Sequence, residues 1–370
     1  MKVPFVDLKA QYTSIKNEID NAISTVIDET SFIGGKHVEQ FEKNFANLYG
    51  VKHCISLANG TDSLYISMKM LGIGEGDEVI TTAYSWISSS ETISQTGAKP
   101  VFVDIDEYFT LDADLLEEKI TSKTKAIIPV HIHGQMCDLE KIMTIASKYN
   151  IPVIEDCAQS HFSEFKGKRA GISGLVGSFS FYPGKNLGAY GDAGCIITND
   201  DEFALKCKMY ARHGALKKHQ HEMEGINSRL DGIQAAILNA KLPYIENWTN
   251  KRIENAKLYD SFLRDIPQLE IPKVRNNVKH SYHLYVIKTH KRDELALYLK
   301  ENGIDTAIHY PLALHNMNAY KYLKYAQSDF PNASNNESKI LSLPMYPELT
   351  KEQIIYISSK VKEFFNKESK

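Results

Sequence analysis

From residue 53 to residue 156 the chain alternates compact apolar runs with longer helical stretches, and this alternation restricts the possible folds more than any other feature. His53 to Ala58, Glu78 to Thr81, Val101 to Ile105, Ala126 to Val130 and Val153 to Asp156 read as strands. Thr61 to Met70, Ser88 to Thr96, Leu115 to Ile120 and Leu139 to Lys148 read as the helices between them. The runs at 126 and 153 suit strands buried between two helix layers. Repetition of this kind predicts an α/β domain with a mostly parallel sheet.

Two amphipathic helices precede the alternation. Ile15, Ile19, Ala22, Ile23, Val26 and Ile27 keep one period, and Val38, Phe41, Phe45 and Leu48 form one face of the next, which Gly50 ends. After the alternation, Gly177 to Tyr182 (GSFSFY) interleaves small and aromatic residues, followed by a turn-rich loop to Gly194, a strand Cys195 to Thr198 and a helix Asp201 to Ala211. Leu230 to Leu263 is helical with a break near Pro243. Beyond a linker or edge region at 267–279, Tyr282 to Thr289 and Thr306 to His309 read as strands, Asp293 to Asn302 and Lys351 to Phe365 as helices, and the polar run Ser328 to Ser338 as a loop. A chain of 370 residues is long for one core. The expected division is a large domain over 1–250, including the N-terminal segment, and a smaller C-terminal α/β domain over 251–370.

Composition excludes several classes. With 43% hydrophobic and 24% charged residues and a net charge of -3, the chain is neither disordered nor a basic polynucleotide binder, so no nucleic acid polymer is expected as partner. The opening MKVPFVDLKAQY is broken by Asp7 and Lys9 too early for a secretory signal, and no run is long enough for a membrane helix. The five cysteines (54, 137, 157, 195 and 207) are odd in number and unpaired in spacing, as expected of free thiols in a reducing cytoplasm.

A few residues stand out chemically. Asp156 ends an apolar strand, where open α/β sheets line their ligand crevice, and could hold a cationic nitrogen; an ordinary capping aspartate reads equally well. Lys185 lies in FYPGKNLGAYGD, among glycines that permit close backbone approach. A desolvated lysine there could form a Schiff base, although most lysines are solvated surface residues. Gly60 and Thr61 in ANGTDSL open a helix after a strand, where amides cradle phosphate or where plain capping suffices. Ser180 could add a hydroxyl. Trp86 could stack on a flat ring or simply pack.

A phosphate cradle, a stacking ring, a carboxylate for a ring nitrogen and a Schiff-base lysine together describe pyridoxal 5'-phosphate chemistry. Through ANGTDSL, GDEVI, VIEDCAQS, GSFSFYPGKNLGAYGDAG and INSRLDGIQAA, the chain resembles the fold-type I aminotransferases that act on nucleotide-linked keto-sugars. The resemblance extends from FVDLKAQY to LSLPMYPEL and implies an aspartate aminotransferase-like α/β fold. It makes Lys185 the Schiff-base lysine and Asp156 the partner of the pyridine nitrogen. Trp86 would stack on the ring, Gln159 would lie near the ring face or its 3-hydroxyl, and Gly60, Thr61 and Ser180 would bind the phosphate. Asn227 matches an asparagine that reaches the phosphate of the neighbouring subunit, which implies a homodimer with shared active sites. Cys157 stands where the family usually has alanine.

By resemblance, His309, Tyr310 and His315 in AIHYPLALH belong to a substrate-facing C-terminal segment, and Tyr182 and Arg229 are candidates for the sugar or the amino donor; each could equally be structural. His131, His133, His219 and His221 alternate in pairs without further ligands at zinc spacing, so no metal is expected. By resemblance the donor is L-glutamate, and the lysine loop with MEGINSRLDGIQAA is closer to the branch that aminates C3. The expected acceptor is a dTDP-3-keto-6-deoxyhexose; a UDP-linked 3-keto-N-acetylhexosamine is the alternative, and a 4-keto nucleotide sugar a more distant one. A non-enzymatic regulator on the same fold is opposed by the intact Lys185 and Asp156. A sugar dehydratase is opposed by Lys185, since those relatives carry histidine at that position.

Overall fold

The computed structural model describes residues 1–217 and 219–368. Its centre is a seven-stranded sheet in the spatial order His53–Leu57, Gly194–Thr198, Val176–Ser180, Ile154–Asp156, Thr124–Ile128, Glu78–Thr82, Lys99–Val103, with parallel bridges Ile127–Val153 and Val130–Asp156 joining its two halves. Gly194–Thr198 runs antiparallel to both neighbours, and the remaining pairs are parallel. The sheet is therefore mixed but mostly parallel, and its side chains alternate between two cores as a strand requires. Phe179, Phe181, Cys195 and Ile197 pack with the helix Lys36–Tyr49 on one face. Val176 and Ile196 pack with the helix Gly60–Met70 on the other.

Some expectations shift. In the helix Lys36–Tyr49 the buried set is Val38, Phe41, Phe45, Ala46 and Tyr49, while Leu48 is exposed. At 100° per residue Tyr49 returns to the angle of Val38 and Phe45, and Leu48 falls to the edge of that face. Leu115 to Ile120 forms only a short 3-10 turn, Glu117–Lys119. Thr306 to His309 is no strand; Ala307 alone bridges to Ser342.

The polar run at 328–338 contains the helix Pro331–Asn336. Proline suits a first helical turn. The cap comes from far away: Asp104 accepts from the amides of Asn332 and Ala333, both at 2.9 Å. Phe330 and Ala333 are then buried beside Phe102.

The C-terminal part pairs Tyr285–Lys288 antiparallel with Ile340–Leu343 and packs the helices Ile245–Leu263, Arg292–Glu301 and Lys351–Glu368 against them. Val3, from the other end of the chain, is fully buried in this same core and bridges to Ile304. All five cysteines are free and buried. Among the described residues, no helix is long and apolar enough to cross a membrane.

Candidate active site

A cavity of about 770 Å³ opens where the carboxyl ends of the central strands meet the start of the helix Gly60–Met70 and three segments of the C-terminal part. Gly60, Thr61, Trp86, Asp156, Gln159, Ser180, Tyr182, Lys185, His309 and Tyr310 all line it.

Lys185 is carried there by a tight loop. The strand Val176–Ser180 ends in buried Phe181, whose carbonyl accepts from Ala189, and the Lys185 amide bonds back to the Tyr182 carbonyl at 2.8 Å. Gly188 permits this return, since a Cβ there would sit 2.3 Å from the Pro183 oxygen. The helix Gly232–Lys241 holds the loop at two points seven residues apart, on one helix face. Gln234 accepts from the Tyr190 amide at 2.8 Å, and the fully buried Lys241 donates to the Gly188 carbonyl at 2.7 Å. Desolvation pushes the Lys185 amine down to about 8, against the opposing pull of Asp156.

Asp156 is buried, and desolvation raises its carboxyl. Ser89 donates to Oδ2 at 2.8 Å and the Ala158 amide to Oδ1 at 3.1 Å, and both oppose that rise. Its neighbour Glu155 belongs to the protein interior. It accepts from the amides of Gly171, Ser173 and Gly174 and pairs with His131 Nε2 at 2.8 Å, while His131 Nδ1 accepts from the Cys137 amide. Ligand atoms of His131, Glu155 and Cys157 lie within 4.8 Å of one another, but the carboxylate is saturated by these protein donors.

At the other end of the cavity, Asn59 caps the helix by accepting from Asp62 at 2.7 Å. A helix leaves its first amides without intrahelical acceptors. Those of Gly60 and Thr61 are available beside the Thr61 and Ser180 hydroxyls. Gly60 passes so close to Ser180 that a Cβ would lie 2.6 Å from that residue's own Cβ. Between the two ends, Gln159 is held by the His133 amide (2.7 Å) and donates to the Tyr310 hydroxyl (2.9 Å). The exposed Trp86 ring lies 5.7 Å from that of Tyr310. Tyr84 fixes the His309–Tyr310 segment by donating to the His309 carbonyl at 2.6 Å.

Three predicted site residues lie elsewhere in this chain. Asn227 pairs with Arg212 through a backbone bridge. Arg229 lines a separate cavity of about 290 Å³ with Gly34, Gly35, Arg212 and His213. His315 is buried against Phe330 and bonds Ser334, because the 3-10 turn Leu314–Asn316 directs it into the core. His219 and His221 are exposed near a small hairpin. Conversely, Phe5, Ser89, Asp192 and His283 line the cavity without having been singled out. Phe5 stacks on His309 at 5.6 Å, and His283 faces Asn186 at 3.2 Å. Burial, with Lys185 nearby, pushes His309 down to about 4 and His283 well below its usual range.

Residues 13–362 match the DegT/DnrJ/EryC1/StrS aminotransferase family. The chain belongs to that family. The aminotransferase is 44% identical to a pleiotropic regulatory protein of Geobacillus stearothermophilus, over 99% of each chain. It is 43% identical to the UDP-2-acetamido-2-deoxy-3-oxo-D-glucuronate aminotransferase of Pseudomonas aeruginosa, over 94% of this chain and 96% of the other. It is 41% identical to the dTDP-3-amino-3,6-dideoxy-alpha-D-galactopyranose transaminase of Aneurinibacillus thermoaerophilus, over 95% and 96%. The solved structure of Streptomyces venezuelae DesV in complex with a ketimine intermediate superposes with a TM-score of 0.96 at 38% identity, covering 98% of each chain. The protein is a nucleotide-sugar aminotransferase whose cofactor is pyridoxal 5'-phosphate. The donor set fits that group: an amine, a buried carboxylate, two helix-start amides and two hydroxyls around one cavity.

Proposed function

We propose that the aminotransferase moves an amino group from L-glutamate to C3 of a dTDP-3-keto-6-deoxyhexose, giving the dTDP-3-amino-3,6-dideoxyhexose and 2-oxoglutarate. The observation that supports this acceptor is one part of the lining of the cavity that Lys185 shares. Phe5, Val6, Trp86, Ile308, Tyr310 and Pro311 make that part apolar and aromatic, and among the described residues no arginine and no lysine other than Lys185 lines the cavity. The two histidines are held neutral. A methyl group at C6 gains from such a wall, whereas a C6 carboxylate finds no cationic partner from this chain.

In this reading Asp156 keeps the cofactor's ring nitrogen protonated, and Gly60, Thr61 and Ser180 hold its phosphate. Trp86 covers the ring and Gln159 orients it. Bound pyridoxal phosphate supplies an electron sink that acidifies the bond to be broken. The Lys185 amine, lowered toward physiological pH, takes the proton from the donor's Cα and in the second half-reaction delivers one to C3 of the sugar. Tyr182, His309 and Tyr310 contact the sugar. Asn227 reaches the phosphate in the site of a second copy, in a homodimer.

The reverse half-reaction tests the acceptor: the pyridoxal form is offered a panel of dTDP- and UDP-amino sugars, and its conversion to the pyridoxamine form is followed by absorbance. Response to dTDP-3-amino-6-deoxyhexoses is expected. Preference for a UDP-3-amino-N-acetylhexosamine or for a 4-amino sugar overturns the assignment.

A further inference from the structure

A carboxylate that balances a protonated ring nitrogen has to stay ionised, yet Asp156 is buried, and burial alone favours its neutral form. Two donors oppose that tendency. One is the Ala158 amide on Oδ1, a backbone donor that truncating a side chain leaves in place; the other is the Ser89 hydroxyl on Oδ2, at 2.8 Å. Ser89 is itself buried, and its oxygen lies 2.9 Å from the Ser85 hydroxyl. A hydroxyl has a single proton. If Ser89 gives its proton to Asp156, its oxygen becomes an acceptor, and Ser85 is placed to donate to it. The direction of both bonds is thereby fixed: Ser85 to Ser89, and Ser89 to Asp156.

The same short segment serves the rest of the site. Trp86 follows Ser85, and Ser88 contacts the Thr61 hydroxyl at 2.9 Å. The entry into the helix Ser88–Gln95 thus reaches the ring face, the phosphate end and the ring-nitrogen carboxylate at once. Ser90, one residue on, provides a contrast. It is equally buried, but its hydroxyl bonds the Ile87 carbonyl at 3.1 Å and the Tyr320 hydroxyl at 2.7 Å rather than Asp156.

We propose that Ser89, backed by Ser85, is a positioning residue that keeps Asp156 ionised and oriented toward the cofactor's ring nitrogen. The inference rests on Asp156 being the partner of that nitrogen. Hydrogen bonds to a charged acceptor are the strong ones, so removing one loosens what the acceptor holds.

The test uses the holoenzyme and reads two properties other than turnover: the pH midpoint of the bound cofactor's visible band, and the rate at which cofactor leaves on dilution. Losing positive charge at the ring nitrogen makes it easier to keep a proton on the Lys185 nitrogen, so the midpoint moves up. Ser89→Ala is expected to raise it by about one unit and to speed cofactor loss about tenfold. Ser85→Ala should act in the same direction with a smaller effect, and Ser89→Thr, which keeps a hydroxyl, should restore the midpoint. Ser90→Ala should leave the midpoint unchanged even if it lowers the melting temperature. Asp156→Asn reports on the underlying assignment. If it raises the midpoint while Ser89→Ala and Ser85→Ala do not, the role of Ser89 is refuted and that of Asp156 stands. An equal shift from Ser90→Ala shows a merely structural effect and also refutes it. No shift from Asp156→Asn overturns both.

Discussion

Glu155 and Asp156 are adjacent buried carboxylates that the strand turns to opposite sides, one into a knot of backbone amides and the other into the cavity. Glu155 anchors the loop at 171–174, and its strand neighbour is thereby set at a defined height in the site. Burial opposes the charge on Glu155, but His131 and the loop amides outweigh it and hold its carboxyl below the usual range.

Glu155→Gln should therefore cost about 3–5 kcal/mol of folding stability, measured by urea unfolding, because charge-assisted bonds vanish and amide faces amide. The pH dependence has a definite sign. The folded carboxyl ionises more readily than the unfolded one, so the contribution of Glu155 is whole above the unfolded value of about 4.3 and is lost as pH falls through the folded one. The acid limb of the stability curve should be less steep in the variant than in the wild type. An unchanged acid limb contradicts this account.

Cofactor attachment should follow the Lys185 amine. The neutral amine is the nucleophile, so the rate at which apoprotein captures pyridoxal phosphate should rise with pH to a midpoint near 8. Stopped-flow absorbance gives this directly. Lys185→Ala should abolish borohydride-fixable attachment and lower turnover by about 10²–10⁴ or more. Fixation on another lysine in that variant would reassign the nucleophile.

Lys241 is buried and, among the described residues, has no carboxylate in hydrogen-bonding contact; its amine, pushed down to about 8 by desolvation, meets the Gly188 carbonyl and the Tyr190 ring. Lys241→Met relieves the desolvation and removes the tether together. Global stability should change by less than about 1–3 kcal/mol, the cost of an unsatisfied buried carbonyl, because the two effects oppose each other. Hydrogen exchange at the amides of Ala189 and Tyr190 should nevertheless quicken about tenfold. Exchange unchanged there would mean that Gln234 alone secures the loop.

The proposed sharing of sites between two copies predicts complementation. Lys185→Ala and Asn227→Ala homodimers should each be impaired, while a mixed dimer contains one site with both residues intact. Mixing the two after reversible dissociation should recover up to about half of the wild-type activity per mixed dimer. A fully active monomer in sedimentation under assay conditions excludes the arrangement.

The sheet was readable because its strands are apolar runs of strand length separated by helical periods, and Ile154 to Asp156 ends where such strands present ligands. Lys185 and Asp156 were readable through motifs, and the cavity unites them with Gly60, Thr61 and Ser180. The helix Pro331–Asn336 was hidden because its cap, Asp104, lies 228 residues from Asn332. Phe5 and His283 were hidden for the same kind of reason: nothing near them in sequence marks either as a cavity wall. Ser85 and Ser89 did carry a local trace, a four-residue spacing beside Trp86 at a helix start, but serines there read as ordinary capping. His315 went the other way, since its motif looked functional while its backbone turn buries it.

The docking of Val3 into the C-terminal core, with Phe5 against His309, also sets a timetable. During synthesis at about 5–20 residues per second, Val3 waits roughly 15–60 s before its partner Ile304 has been made. Phe5 can close its side of the cavity only after that. The central sheet can form on the ribosome well before then, so cofactor could reach Lys185 while that wall is still absent and the entrance correspondingly wide.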